Sequence, residues 1–365
     1  MTREVLAIGP RSPPITGPGL KNRYIQAGLE DHGLDVHWVN TLETHPKTVI
    51  ELLRNTVSYD AYILSASTKV RLGVAPLLAT KLRSPDVHGA LFPAGGEFAD
   101  ELRALPSPVQ RFYRRTFSAF DGVYPQTDAL RDDLSGLLDD SVQVRTVPNL
   151  RPLPEPAQSA SGGVTGTLQL AYVGRIKESK GIDDLLDAYE RASDAGADVV
   201  LDIYGHFLPD DPYEDHFLDR CSRLPGARFH GKLPNEAVIP TLQDADAFVF
   251  PTVYDGEGFP GALVEAFAAG CPVLATDWNF NADIVTDGVD GRLFEPHDVA
   301  ALSGHIRELA EDPALLADLQ ENARATGRQY SVERVTGTII EYLDESGWEL
   351  PTPTVERSEA VVQKQ

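Results

Sequence analysis

Cysteine, lysine and long apolar runs are what this chain has little of, and each scarcity excludes something. Its two cysteines, Cys221 and Cys271, stand far apart with no Cys-x-x-Cys partner, so neither a disulfide scaffold nor a cysteine zinc site fits. The most apolar long stretch, Gly261 to Thr276, is broken by Glu265 and Pro272 and does not span a bilayer. The apolar stretch at the start, Val5 to Ile8, is too short for a signal peptide. A cytoplasmic or peripheral protein is expected. No His-Glu-x-x-His, Gly-x-Ser-x-Gly or clustered histidine pattern occurs.

Positive charge is scarce as well. Lys and Arg total 32 against 55 Asp and Glu, a net charge of -23, and only eight of the cations are lysines. Such a balance argues against nucleic acid as a partner. Carboxylates in this excess repel one another in dilute buffer and need screening. With Asp outnumbering Glu and lysine stems rare, the acidic composition predicts a halophilic protein working in molar salt. What the chain does have is 42% hydrophobic residues over 365 positions, enough for about two cores.

Short apolar runs alternate with helical patterns along the chain. Glu4 to Ile8 predicts a strand, followed by a Pro/Gly loop from Gly9 to Gly19 and a helix from Leu20 to His32. Asp35 to Val39 and Ala61 to Leu64 predict strands; Thr48 to Thr56 and Val74 to Leu82 predict helices. A Pro/Ser/Gly-rich stretch from Pro148 to Gly166 reads as a linker. The alternation then restarts with strands at Gln169–Val173, Asp198–Tyr204, Arg228–His230, Ala247–Pro251 and Pro272–Thr276. Helices lie between them, and after Asp298 the chain is helical to Tyr342, with breaks near Asp312-Pro313 and Thr326-Gly327. This is the pattern of an α/β protein with two parallel sheets and a cleft between their carboxyl ends.

Two segments of the second half carry chemistry. In Tyr172 to Ile182 a strand delivers Gly174, then Arg175, Lys177 and Lys180 follow before a helix starting at Gly181. In a lysine-poor chain this is a local positive spot, suited to a pyrophosphate through the Arg fork and the Lys point charge. The alternative is a solvated turn paired with Asp183 and Asp184. The second segment, Asp255 to Val273, has glycines around Glu257, Pro260 in a first helical turn, and Glu265 inside an apolar helix. A carboxylate there needs a partner, either ribose hydroxyls or an internal cation. Gly226 to Leu233 has the spacing of a phosphate loop but lacks its Ser/Thr. Gly17 and Gly19 let the backbone approach a phosphate ahead of a helix. The segment Val109 to Phe120 sets Arg111, Arg114 and Arg115 beside four aromatics, a candidate face for anionic lipid.

At Gly174, Arg175, Lys180 and Gly181, and at Glu257 and Glu265 with their Glu-Gly-Phe and Glu-Ala-Phe-Ala-Ala-Gly-Cys-Pro-Val contexts, the sequence resembles the retaining glycosyltransferases of family 4. That resemblance implies the GT-B fold, two facing Rossmann-like domains with a cleft between them. It divides the chain into an acceptor-side domain (1–150), a linker (151–167), a donor domain (168–328), a helix crossing back to the first domain (329–348) and a tail (349–365). It implies a hexosyl-type transferase moving sugar from a nucleotide-sugar to a glycan, glycolipid or lipid-linked acceptor, with retention and with no metal or cofactor. Arg175 and Lys180 would stabilise the departing diphosphate. Glu257 with the backbone of Gly258, Phe259, Pro260 and Gly261 would hold the donor sugar, and Glu265 the ribose. Pro260 has no N–H, so Gly261 would donate in its place. Lys232 and Leu233 would lie against the nucleobase. Pro93 to Phe98 is similar to a Pro-Arg-Gly-Glu segment of some members with the Arg missing, which makes Glu97 the expected first-domain contributor. A nucleotide-sugar epimerase of the same fold, needing no acceptor, is the alternative.

Overall fold

The computed structural model describes residues 4–13, 16–45, 47, 50, 59–154 and 166–350. They fall into two compact units, Met1–Leu150 with Val332–Gln365, and Arg151–Ser331. In the first, β1 (Glu4–Gly9) leads through α1 (Gly17–Asp31) to β2 (Asp35–Asn40) and β3 (Ala61–Leu64). Then come α2 (Thr68–Lys81), β4 (His88–Leu91), α3 (Phe98–Arg103), α4 (Ser107–Phe117), β5 (Gly122–Val123), α5 (Asp128–Ser135) and β6 (Gln143–Val144). The strands pair in parallel in the order β2-β1-β3-β4-β5-β6. All of β3 and nearly all of β1 are buried, because helices cover both sheet faces.

The second unit again alternates strands and helices: β7 (Leu168–Arg175), α6 (Ile182–Asp194), β8 (Val199–His206), α7 (Tyr213–Ser222), β9 (Ala227–Gly231) and α8 (Asn235–Gln243). It continues with β10 (Ala247–Phe250), α9 (Gly261–Ala269), β11 (Val273–Thr276), β12 (Gly291–Phe294), α10 (Val299–Glu311) and α11 (Pro313–Gln329). Its order is β12-β11-β10-β7-β8-β9, again parallel. The last helix, α12 (Val332–Glu345), belongs to the first unit and packs on α1. Gly28 permits that approach: a Cβ there would sit 2.2 Å from Thr336 Cγ2. Beyond it, buried Trp348 donates its indole N–H to Asp121 at 3.2 Å.

Both sheets reverse direction once. The chain leaves β1 to one side and β3 starts the other; likewise β7, β8 and β9 run one way and β10 returns across β7. At such switch points the loops diverge and open a crevice beyond the strands' carboxyl ends.

Several expectations need correction. No helix break falls at Thr326-Gly327; α11 runs on to Gln329, because Gly327 is a contact glycine whose Cβ would lie 2.1 Å from Phe267 O. The helix expected from Val74 begins at Thr68 and carries Pro76 inside it. The helix expected from Val109 to Phe120 is α4, Ser107–Phe117, and its aromatics mostly point inward. Phe117 and Phe120 are buried and Tyr113 donates to Leu72 O at 3.0 Å, whereas Phe112 is 52% exposed. Strands β4, β5, β6 and β12 were not marked out by an apolar run, β5 and β6 being two residues each. The helix expected over Thr48 to Thr56 falls, apart from Ile50, outside the described residues, as do 155–165 of the linker stretch and 351–365 of the tail.

Candidate functional site

The loop after β7 is built by packing before it is functional. The Tyr172 hydroxyl donates to Arg175 O at 2.9 Å, and buried Ile176 anchors the next residue. A short 3-10 turn, Glu178–Lys180, then meets Gly181 in the left-handed region at φ 69°. A Cβ at Gly181 would lie 1.9 Å from Pro251 O, so two demands converge on glycine. Val253 N–H donates to Ser179 O at 3.0 Å and ties this loop to the one after β10. The two loops that flank the β7/β10 switch point are therefore one body.

Across that tie, Lys180 Nζ forms an ion pair with Glu257 Oε1. The Thr252 hydroxyl donates to the same oxygen at 3.4 Å, and Thr276 Oγ1 donates to Thr252 O at 2.5 Å. Lys180 and Lys177 stand over the Tyr254 ring, 4.6 and 5.2 Å from its centre. Burial, with Arg175 and Lys177 nearby, pushes the Lys180 ammonium down to about 8. Arg175 is exposed and forms no ion pair among the described residues. The solvated-turn alternative does not hold: Asp183 faces His216 at 3.0 Å and Asp184 faces His297 at 2.9 Å, neither of them the loop's cations.

His206 ends β8 beside Arg175, and burial together with Lys232 and Arg175 lowers its pKa. Arg175, Lys177, Lys180 and Lys232 thus gather along one sheet edge. Lys232 is exposed and Leu233 half-buried just after Gly231, itself left-handed at φ 74°. Gly258 and Gly261 are partly exposed and Phe259 is buried against Tyr330. Pro260 is the residue before α9 rather than its first turn, and no side chain caps the helix, whose first N–H groups belong to Gly261 and Ala262.

Glu265 has a partner that sequence reasoning missed. Arg151 Nε donates to Glu265 Oε1 at 2.7 Å, with the two side chains only 3% and 13% exposed. The cation needed to bury this carboxylate therefore comes from the protein itself. No local signal could have found Arg151, which lies 114 residues away.

Gly17, Gly19 and Glu97 belong to the other unit. A Cβ at Gly19 would lie 2.7 Å from Thr16 Oγ1, which caps Gly19 N at 3.1 Å; Gly17 has open space around it. Glu97 is exposed and precedes α3 without a capping bond. Among the described residues no group of three or more His, Cys, Asp or Glu could hold a metal ion, and no helix is long and apolar enough to cross a membrane.

The family model for glycosyl transferases group 1 matches residues 156–326. A phosphatidyl-myo-inositol mannosyltransferase of Mycobacterium leprae is 30% identical over 352 residues, spanning 87% of this chain and 92% of that protein. A glycogen synthase of Mycobacterium tuberculosis is 32% identical over 164 residues, 44% of this chain but only 37% of the relative's length. Among solved structures, Anabaena HepE in complex with UDP matches with a TM-score of 0.71 at 17% identity, covering 94% of this chain and 100% of that one. At that identity the likeness is one of fold.

Proposed function

Since the chain belongs to the glycosyl transferases group 1 family and has the two Rossmann-like units of the GT-B fold, we propose that it moves a sugar from a nucleotide-sugar to a glycan, glycolipid or lipid-linked acceptor. The observation that carries this reading is the gathering of Arg175, Lys177 and Lys180 at the β7/β10 switch point in a chain of net charge -23. A nucleoside diphosphate supplies the matching anion, and the HepE complex with UDP supports that ligand class.

As the bond from sugar to phosphate breaks, negative charge grows on the leaving diphosphate. Arg175 can chelate it with a planar fork, and Lys180, already partly desolvated, adds a point charge that strengthens as water is excluded. These cations do the work that a divalent ion does elsewhere, so transfer proceeds without one. Glu257, held by Lys180 and Thr252, presents its carboxylate to donor-sugar hydroxyls, with the N–H groups of Gly258, Phe259 and Gly261 beside it. Glu265 accepts a ribose hydroxyl in addition to Arg151. The nucleobase lies on the backbone of Gly231 to Leu233. The sugar keeps its anomeric configuration, the outcome that the resemblance to the retaining glycosyltransferases of family 4 implies.

On the first unit, α4 presents exposed Phe112 with exposed Arg111 and Arg115, while Arg114 is 3.8 Å from Asp139. We propose this face as a contact for anionic lipid. Co-sedimentation with anionic vesicles should drop when Arg111, Arg114 and Arg115 become Gln; equal binding would retire the contact. For the donor, UDP-, GDP- and ADP-sugars should be screened by melting shift in molar KCl, with EDTA present. At least one should raise the melting temperature and be consumed with an acceptor. No shift with any of them would sink the reading.

A further inference from the structure

The loop that carries Glu257 has little structure of its own. From Thr252 to Pro260 it is neither helix nor strand, and its internal bonds are few, chiefly Glu257 N to Tyr254 O at 3.1 Å and Tyr254 N to Thr252 Oγ1 at 3.3 Å. Its carbonyls, however, converge on a single side chain. Asn279 Nδ2 donates to Tyr254 O at 3.3 Å and Asp255 O at 3.2 Å, with Glu257 O at 3.5 Å. Asn279 follows β11 and is itself left-handed, at φ 49°.

We propose that Asn279 is a positioning residue that clamps the Glu257 loop against the end of β11, and so fixes the carboxylate that Lys180 meets. Two requirements meet at this position. The backbone needs a residue tolerant of the left-handed region, which favours Gly, Asn and Asp. The carbonyls need a short side chain with two N–H donors, which Asn has and Gly and Asp lack. Only Asn answers both at this reach. The clamp touches neither the diphosphate cations nor the carboxylate, so it acts through loop geometry. The proposal rests on the reading of that loop as the donor side of a transferase.

Two variants separate the two demands. Asn279→Gly keeps the backbone conformation and removes the clamp. Asn279→Asp keeps the backbone and turns a carboxylate towards three carbonyl oxygens. Asn279→Gly should leave the melting temperature nearly unchanged and speed hydrogen exchange at the amides from Val253 to Phe259. It should lower kcat by roughly 10- to 100-fold, the cost of misplacing a group by about an ångström, while donor KM changes less. Asn279→Asp should lose more kcat than the Gly variant. Unchanged exchange in the loop would overturn the clamp, and faster exchange with wild-type kcat would overturn its positioning role. Exchange needs no substrate, so it judges the clamp even if the wild type transfers no sugar, a result that would sink the transferase reading instead.

Discussion

Each sheet has one switch point in its strand order, and the two switch points are tied differently. At the β1/β3 switch point of the first unit, Asn22 donates to Pro10 O at 2.7 Å and accepts from Ser65 Oγ at 2.7 Å. Gly9 lies so close to Ser65 that a Cβ would meet its carbonyl oxygen at 1.9 Å. These ties run through a neutral amide and a hydroxyl. At the β7/β10 switch point the tie is one backbone bond, from Val253 to Ser179, and the side chains around it are Arg175, Lys177, Lys180 and Glu257. A fold supplies the place for a ligand, and the charge placed there supplies the chemistry.

The strongest attempt to break this contrast is kinetic. Arg175→Ala and Lys180→Ala should each lower kcat by roughly 10²–10³, as loss of one preorganised donor does, with the fold intact. Glu97→Gln, on the first unit, should cost less. Steady-state kinetics beside thermal melts check all three. Near wild-type kcat/KM in the two cation variants would end the second edge's claim to the chemistry, and an equal loss at Glu97 would extend that claim to the first.

Buried ion pairs offer a second comparison. Arg71 pairs with Glu101 at 2.9 Å in the first unit, and burial pushes its guanidinium down to about 10 against the pull of Glu101. Glu101 is 32% exposed and can turn to water, whereas Glu265 beside Arg151 is 13% exposed. Arg151→Met should therefore cost about 3–5 kcal/mol, the usual loss when a buried pair is broken. Arg71→Met should cost less, about 1–3 kcal/mol, the desolvation of one polar group left alone. Urea unfolding of the two variants measures the difference; equal losses would show that access of water to the carboxylate does not matter.

Lys180 gives the third test, in which activity and stability move in opposite directions with pH. Its folded pKa of about 8 lies below the ordinary value of about 10.4. Between those values the unfolded chain binds more protons, so the stability contributed by this group rises with pH across that window. Its ammonium is lost over the same window, so kcat/KM should fall above pH 8, about tenfold per unit once Lys180 is neutral. Lys180→Arg should move that fall to higher pH. A wild-type profile flat to pH 10 would remove the charged Lys180 from the mechanism. The smallest expected kinetic effect concerns Glu265→Gln, which should raise donor KM and spare kcat, because ribose does not change during the reaction, while the melting temperature falls because Arg151 loses its carboxylate. A fall in kcat alone would reject that assignment.

Much of this was legible in the sequence. Strands such as Ala61–Leu64 and Ala247–Phe250 are short apolar runs bounded by polar turns, and helices such as Asn235–Gln243 show their periodicity and ends within the segment itself. The gathering of Arg175, Lys177 and Lys180 was visible because the three are close in sequence and lysine is rare in the chain. So was Gly181, though not its reason. Two-residue strands such as Gly122–Val123 carry no pattern to read, since their pairing is decided by neighbours. Gly327 looked like a helix break and is a packing contact, because a glycine's meaning depends on what lies opposite it.

Local order, then, was determined by the sequence alone: which segments alternate, where the charge concentrates, which backbone positions are free of side chains. Partnership across distance was decided only by tertiary structure. Lys180 finds Glu257, Arg151 finds Glu265, and Asn279 finds three carbonyls of a loop more than twenty positions earlier. The physical reason is that burial makes a charge or amide costly without a partner, but does not specify which one. That choice belongs to the sheet order, which brings the ends of β7, β10 and β11 side by side.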